Sequence, residues 1–462
     1  MQRLISIIIV ILTISCTTDK ENYLNYFGGE IINPKSDFVL FLKDDNIIDT
    51  LFLDKNNRFL NEYQAPLEGL YTFKHGNEFQ YIYMEPGDSI LVRLNTWDFD
   101  ESLVYSGKGS SKNNYLISLF LQNEKEEMDM MNYFSLNATE FQLKLDSLAE
   151  ARQLVYDEFA KNESEISEGL QKLVNTAIHL PLYRLNEIYP LYNRHDTKSD
   201  KYPVIPDDFY DYRNNISLNE ANLVSYYGYQ NYVISHLYNL SYALSDRDST
   251  KDDITINILN AIIDNVELES FKNELLTRIT VDNFLKSKST CTINEQALSI
   301  FLDNCTDDKL VGQVKNLVRD IEYVLSDKPL HNFKILSYDN QILDISAVIE
   351  NKNSMIYFWT TDHIPPDYLL KRIKYLERNF PDVEFIGVNI QSSSEDVLKE
   401  PSLKKLDIRK QFKLTADSYA NNYLTSNYPR IIIVNKEGIV KNGFTLFASK
   451  KLNSELQKLE IN

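Results

Sequence analysis

The order of hydrophobic and polar residues changes twice along the chain. Residues 28–111 alternate apolar and polar positions, as at Ile90, Val92 and Leu94, and turn signals such as Asn-Pro and Pro-Gly-Asp separate these stretches. A period of two is typical of strands with one buried face, because successive side chains point to opposite faces of a sheet. The pattern predicts a small antiparallel β-sandwich or barrel.

Residues 112–329 follow the helical period instead. Between residues 217 and 244, Tyr226, Val233 and Leu237 recur at spacings that place their side chains on one face of a helix. We therefore predict a helical middle domain.

From residue 330 onward, strand and helix patterns alternate. Apolar stretches at 355–359, 383–389 and 430–435 indicate buried strands, and residues 366–378 indicate an amphipathic helix, which together predict an α/β sandwich. The 462 residues exceed what one hydrophobic core usually serves. We predict a multidomain α+β protein with a β-sandwich domain (28–111), a helical domain (112–329) and an α/β sandwich domain (330–462).

The first 16 residues have the layout of a signal peptide. Arg3 precedes an apolar run of about eleven residues that ends near Cys16, and this run is too short to span a bilayer, which takes roughly 20 residues. The stretch resembles the lipobox of bacterial lipoproteins, although Thr13 stands where leucine is more common. The resemblance implies lipid attachment at Cys16, a tether over residues 17–27 and a membrane-anchored protein; secretion without a lipid is the alternative.

The net charge of the chain limits the kind of partner that it can bind. The net charge of -19 argues against a nucleic-acid partner, since phosphate binding draws on clustered Lys and Arg. From residue 330 onward there are 18 Lys and Arg against 16 Asp and Glu, so the acidic excess lies before the last domain.

Thr17 follows the cysteine in place of an aspartate that commonly signals inner-membrane retention, so we expect the outer membrane, facing the periplasm or the cell surface.

Three phrases in the first domain resemble one lipoprotein family. They are PLEGLYTF (66–73), YMEPGDSI (83–90) and FDESLVYSGKGSSKNNYL (99–116). They are similar to an N-terminal β-domain of Bacteroidetes lipoproteins, in which a helical segment and a thioredoxin-like domain follow. The resemblance implies the same order of domains here.

Two phrases in the last domain resemble the thioredoxin superfamily, in particular its membrane-tethered TlpA and ResA type. MIYFWTTDHIPPDYLLKRIKYL (355–376) is similar to the strand, active-site turn and helix, where the family reads roughly FWATWCxPC. SNYPRIIIVNKEGIV (426–440) is similar to the later segment in which a cis-proline faces that turn. The resemblance implies a thioredoxin-like fold and a cis-proline at Pro429.

The turn lacks the family's cysteines. Phe358, Trp359 and Thr361 match the motif, but His363 falls where the attacking cysteine belongs and Pro366 where the resolving cysteine belongs. Dithiol exchange needs a low-pKa thiolate and a second thiol to release the mixed disulfide. We therefore interpret Thr361, His363 and Pro366 as a vestigial active-site turn without catalysis. A neutral His363 acting as a base or a ligand is the alternative to an exposed turn residue.

Cys291 and Cys305 precede this domain. Residues 293–302 between them have a helical pattern, and a helix of that length, at about 1.5 Å per residue, exceeds the reach of a disulfide. A bridge between the two is the less favoured alternative. If folding brought both thiols near the turn, they would support a redox accessory role.

No motif for a metal or a cofactor stands out. His179, His195 and His236 are widely separated, and we find neither an HExxH pair nor a Gly-rich phosphate loop, so we predict no metal and no cofactor. Many of the 30 tyrosines cluster between residues 183 and 242, where helix packing is the simpler interpretation and a sugar-binding or peptide-binding platform the other.

The leading functional hypothesis is a non-catalytic lipoprotein of the cell envelope. Its degenerate thioredoxin-like domain would bind an envelope protein or peptide, or support an assembly. The alternatives are a redox accessory that uses Cys291 and Cys305, and a nutrient-binding or glycan-binding lipoprotein.

Overall fold

A computed structural model gives the fold. It describes residues 24–44, 46–64, 68–130, 132–196, 205–247, 253–285, 291–361, 363–390, 402–426 and 428–461. Cys16, the predicted signal peptide and residues 17–23 of the predicted tether lie outside the described residues. The described chain forms two compact units, one of residues up to Ile216 with Glu220–Ser235, the other of Ser217–Asn219 with residues from His236 onward.

The boundary between the units lies inside helix α4 (Tyr227–Arg247). The predicted boundaries after residues 111 and 329 instead follow changes in hydrophobic period. Period reports the secondary structure of a segment but not the elements against which that segment packs. The three predicted ranges therefore stay predictions.

The first unit begins with eight strands in two four-stranded sheets. The strands are β1 (Leu24–Ile32), β2 (Phe38–Lys43), β3 (Asn46–Phe52), β4 (Arg58–Gln64), β5 (Gly69–His75), β6 (Glu78–Met84), β7 (Ser89–Asn95) and β8 (Val104–Lys108). One sheet has the order β4-β1-β7-β8 and the other β3-β2-β5-β6. Phe27, Phe41, Phe73, Ile82 and Ile90 belong to one buried cluster built from both sheets, as the alternating pattern requires.

One strand pair differs from the predicted antiparallel arrangement. Strands β1 and β7 run parallel, with Tyr26 opposite Ser89 and Ile32 opposite Asn95. The chain forms β2 to β6 between these two strands, and parallel neighbours need such a long crossover. The period of a strand does not specify the direction of its neighbour, so the prediction was wrong for this pair.

Two asparagines at the start of helix α1 (Ser110–Met130) cover the outer strands of both sheets. The Asn113 side chain accepts from the Tyr83 N–H (2.7 Å) and donates to the Tyr83 carbonyl (2.9 Å). The Asn114 side chain pairs in the same way with Tyr105, at 2.9 and 2.8 Å. Each carboxamide therefore satisfies backbone groups of an edge strand, β6 or β8, as a neighbouring strand would.

Lys112, the residue before Asn113, anchors helix α1 through ion pairs. Lys112 Nζ contacts Glu85 at 2.5 Å and Asp88 at 2.6 Å, and the side chains of Lys112 and Asp88 are buried. Burial raises the pKa of Asp88, and the Lys112 ammonium opposes that rise. Lys112, Asn113 and Asn114 thus attach α1 to strands β6 and β8 and to the turn between β6 and β7.

Arg152 joins the long helices of the first unit. These are α1, α2 (Ala138–Asn162) and α3 (Glu168–Asp196). The buried Arg152 side chain of α2 donates to Glu126 of α1 at 2.6 Å and to the Ile178 carbonyl of α3 at 2.9 Å. A buried charge is tolerated when it is paired in this way.

The second unit contains further helices and one seven-stranded sheet. The helices are α5 (Ile254–Asn265), α6 (Glu269–Leu285), α7 (Glu295–Asn304), α8 (Asp308–Tyr323), α9 (Ile345–Val348), α10 (Pro366–Asn379) and α11 (Leu452–Ile461). The strands are β9 (Lys334–Ser337), β10 (Ile342–Asp344), β11 (Asn353–Trp359), β12 (Val383–Asn389), β13 (Gln411–Leu414), β14 (Arg430–Val434) and β15 (Val440–Thr445). Within the described parts of both units, no helix has the length and the hydropathy that crossing a membrane requires.

The sheet order is β10-β9-β13-β12-β11-β14-β15. Strands β11 and β12, which α10 connects in the sequence, pair in parallel. Strand β14 is antiparallel to both β11 and β15. This order and these directions are those of a thioredoxin-like fold. Met355, Tyr357 and Trp359 pack in a cluster with residues of α10 and α11, while Ile356 and Phe358 belong to a second cluster, so both faces of β11 are buried.

His75 is a buried histidine at the end of β5. Its Nε2 accepts from the Lys35 N–H at 2.9 Å, and its Nδ1 lies 3.0 Å from the Phe38 carbonyl, which requires a donor. These partners assign the proton to Nδ1 of a neutral ring. Burial lowers the pKa of His75, and the positive charge of Lys35 lowers it further, against the Phe38 carbonyl.

His75 should make the stability of the first unit depend on pH. Its folded pKa lies below the unfolded value of about 6.5, so the unfolded chain binds more protons between the two values. The stabilisation is complete above the unfolded pKa and is lost as the pH falls through the folded pKa. The free energy of unfolding, measured with urea between about pH 5 and 8, should depend less on pH in His75→Gln than in the wild type. In His331→Gln, a control at an exposed histidine, the pH dependence should match that of the wild type. If the free energy of unfolding had the same dependence on pH in His75→Gln and in the wild type, the role of His75 would be contradicted.

Candidate functional site

Strand register brings the predicted turn and the Pro429 segment to one end of the sheet. Phe358 of β11 pairs with Arg430 of β14 in antiparallel register. Residues that follow Trp359 therefore lie opposite residues that precede Arg430. The rings of His363 and Tyr428 confirm this proximity, since their centroids are 6.3 Å apart at an interplanar angle of 29°.

The backbone of the turn is held without thiols. The Thr360 carbonyl accepts from the N–H groups of His363 (3.3 Å) and Ile364 (3.0 Å), and the Ile364 side chain is buried. Pro366 is the first residue of α10, a position at which a missing N–H costs no helical hydrogen bond. Pro366 is therefore compatible with the start of the helix.

His363 is exposed, and Tyr428 beside it is half-buried. Burial raises the pKa of Tyr428, and the negative charge of Asp282 in α6 adds to the rise. Asp362, the acidic neighbour of His363 in the sequence, lies outside the described residues, as does the side chain of His195. Among the described residues, no group of three or more His, Cys, Asp or Glu side chains is arranged to hold a metal ion.

Pro429 does not adopt the predicted isomer. The described backbone contains no cis peptide bond, so the bond between Tyr428 and Pro429 is trans, and the expectation of a cis-proline is contradicted. The trans isomer is the more stable one for most X-Pro bonds, by about 0.5–1 kcal/mol. In this chain, contacts made by Asp320 and Arg430 hold the segment.

Arg430 is a fully buried charge at the start of β14. Its guanidinium donates to the carbonyls of Asp320 (3.1 Å), Tyr423 (2.7 Å) and Gly443. It also lies 4.2 Å from the ring centroid of Phe444. Burial lowers the pKa of Arg430 to about 10, against the opposing effects of Tyr423 and Asp320.

The carboxylate of Asp320 binds the segment before Tyr428. It accepts from the N–H and Oγ1 of Thr425 (3.0 and 2.7 Å) and from the N–H and Oγ of Ser426 (2.9 and 2.5 Å). Sequence reasoning missed both Asp320 and Arg430. An arginine that opens the apolar run IIIV was a usable signal for the latter, because a charge at a buried strand needs a partner.

Cys291 and Cys305 are free thiols, and both are buried. Helix α7 lies between them, as the spacing predicted, so the alternative of a disulfide is contradicted. The Cys291 N–H donates to the Phe444 carbonyl at 2.8 Å. Burial raises the pKa of the Cys291 thiol to about 12, which leaves little of the reactive thiolate at neutral pH.

A cavity of about 440 Å³ in the second unit is separate from the turn. Asn353, Lys441, Asn442, Glu455 and Lys458 are among its lining residues. Asn353 begins β11, whereas Trp359, next to the turn, ends it. This cavity therefore lies at the opposite end of the strand from His363 and adds nothing to the candidate site.

Comparisons with known proteins give similarity over a part of the chain. No family model and no curated protein matches the chain. The thioredoxin domain of a thiol-disulfide oxidoreductase from Bacteroides vulgatus is 16% identical over 29% of this chain and 99% of its own, with a TM-score of 0.24. A thiol-disulfide oxidoreductase from Bacteroides fragilis is 17% identical over 29% and 99%, also with a TM-score of 0.24. A thiol:disulfide interchange protein from Bacteroides sp. is 17% identical over 30% and 92%, again with a TM-score of 0.24.

These solved structures are thioredoxin-like domains that are similar to about 30% of the chain. At such TM-scores the likeness carries no argument about activity. Strand order and direction in the seven-stranded sheet define the thioredoxin-like part, and the residues at its turn decide its chemistry.

The two thiols should be unreactive in the folded protein. A chain with Cys16→Ala retains only Cys291 and Cys305. A disulfide reagent at neutral pH should label these two thiols at least about 100-fold more slowly in buffer than in denaturant, because both are buried and the reagent reaches them only when the structure opens locally. Rapid labelling of both in the folded state would favour the redox accessory hypothesis instead.

Proposed function

We propose that this chain is a non-catalytic lipoprotein of the cell envelope whose thioredoxin-like domain binds a polypeptide or supports an envelope assembly. The single observation that carries the proposal is the turn that ends β11. By the resemblance, His363 and Pro366 correspond to the attacking and resolving cysteines. His363 lies beside Tyr428, the residue before Pro429.

The missing thiols exclude dithiol exchange at this turn. Every cysteine of the sequence precedes residue 306, so the thioredoxin-like part contributes none. Exchange requires one sulfur to attack and a second to release the mixed disulfide. The described residues at this end of the sheet include an exposed His363 and a half-buried Tyr428, side chains suited to contact another chain.

Two alternatives find less support. The redox accessory needs accessible thiols, whereas Cys291 and Cys305 are buried. The glycan-binding hypothesis needs exposed tyrosine rings, whereas Tyr226, Tyr229 and Tyr232 are buried in the first unit. Helix packing therefore accounts for much of the tyrosine-rich stretch.

Binding without turnover is the expected behaviour. A reduced and carboxymethylated model polypeptide should bind the full chain, and the double variant His363→Ala, Tyr428→Ala should weaken that binding about tenfold, since exposed aromatic contacts typically contribute about 1 kcal/mol or more. His331→Ala, an exposed histidine next to a different tyrosine, Tyr419, is the matched control.

An insulin-reduction assay against a homologue with both cysteines tests the catalytic half of the proposal. The chain should give no turnover above background. Clear turnover would refute a non-catalytic role, and equal binding by the double variant and the wild type would refute this face as the binding site.

We also propose that Cys16 carries the lipid that anchors the protein, with the outer membrane as the site of attachment. The short apolar run before Cys16 and the polar tether after it support this, and two or more acyl chains suffice for durable attachment. Cys16→Ala should move the protein from the membrane pellet to the soluble fraction, whereas Cys305→Ala, the matched control, should leave it in the pellet. Unchanged pelleting of Cys16→Ala would contradict the anchor.

A further inference from the structure

The segment that carries Tyr428 and Pro429 is held by a helix outside the sheet. Asp320 of α8 is 1% exposed, and its carboxylate accepts four hydrogen bonds, all from Thr425 and Ser426. An ionised carboxylate accepts about four hydrogen bonds in total. The segment therefore uses the whole capacity of this side chain.

Arg430 holds the other end of the same segment. One guanidinium nitrogen donates to both the Asp320 carbonyl and the Tyr423 carbonyl, so the backbone of α8 meets the strand at the residue after Pro429. Gly443 of β15 allows this approach, because a Cβ at that position would lie 1.9 Å from the carbonyl oxygen of Val324, just beyond α8. Residues on both sides of Tyr428 are thus tied to one turn of α8.

We propose that Asp320 is a positioning residue that places Tyr428 and Pro429 against the vestigial turn. In this chain, hydrogen bonds from helix α8 hold the described residues on both sides of Tyr428. A consequence, which rests on the proposed function, is that α8 sets the affinity of this face for a polypeptide.

Asp320→Asn is a sharp test because it keeps the shape of the side chain. Asparagine has one acceptor oxygen, and its amide would direct N–H groups at groups that themselves donate. Asp327→Asn is the matched control, since Asp327 is an exposed aspartate paired with Lys441 at 3.0 Å. Its φ of 59° suits asparagine.

Two measurements report on position directly. Amide hydrogen exchange at Thr425 and Ser426 should accelerate at least about tenfold in Asp320→Asn, because hydrogen bonds to a charged acceptor are lost, and should stay within about twofold in Asp327→Asn. The imidazole resonances of His363 should also shift in Asp320→Asn, since they sense the nearby Tyr428 ring. Unchanged exchange or unchanged His363 resonances in folded Asp320→Asn would overturn the proposal.

Ser426→Ala covers the case in which Asp320→Asn does not fold. It removes only the hydroxyl that donates to Asp320 at 2.5 Å, so both readouts should move in the same direction by a smaller amount. If Ser426→Ala changes neither, the proposal is wrong.

Polypeptide affinity separates this proposal from the proposed function. If the wild type binds the carboxymethylated polypeptide, Asp320→Asn should bind it more weakly and Asp327→Asn should not, and equal affinities would overturn the role of α8. If the wild type binds no polypeptide, the proposed function fails, while the exchange and resonance results still decide whether Asp320 positions the segment.

Discussion

The burial of two charged side chains, Asp320 and Arg430, is the constraint on which the second unit depends. Each is about 1% exposed, and a buried charge is costly unless its hydrogen bonds are satisfied. Arg430 donates to the backbone carbonyl of Asp320 and not to its carboxylate, so each of the two charges depends on its own set of hydrogen bonds. The Asp320 carboxylate accepts from Thr425 and Ser426 of the loop before β14, and the Arg430 guanidinium donates to three backbone carbonyls, which leaves only its buried Nε without a partner among the described residues. Helix α8, the loop and strand β14 therefore form one interdependent element.

The first unit uses the same physical device at the start of its first helix. Asn113 and Asn114 pair with the backbone of two edge strands, and Lys112 lies between two carboxylates. Arg152 then links the three long helices. In both units, polar side chains on helices satisfy the backbone or the charges of neighbouring elements, which fixes a helix more specifically than apolar contact alone.

The thioredoxin-like part keeps its scaffold although its turn has no thiol chemistry. The turn depends on backbone hydrogen bonds to Thr360 and on the burial of Ile364, and neither contact involves a sulfur atom. The hydrogen bonds and the burial that hold this turn therefore do not depend on thiol side chains. The proposed binding function asks no more of the turn than this local structure.

The sequence was enough to predict the local elements. The periods predicted the β-rich start, the helices and the strands β11, β12 and β14, whereas the assignment of His363 and Pro366 to a vestigial active-site turn stays a prediction. Only the tertiary structure decided the parallel pairing of β1 with β7, the trans bond before Pro429 and the partners of Asp320. The reason is physical: hydrophobic period and turn residues record local geometry, whereas strand pairing and hydrogen-bond partners depend on residues far apart in the sequence, such as Tyr26 and Ser89 or Asp320 and Thr425.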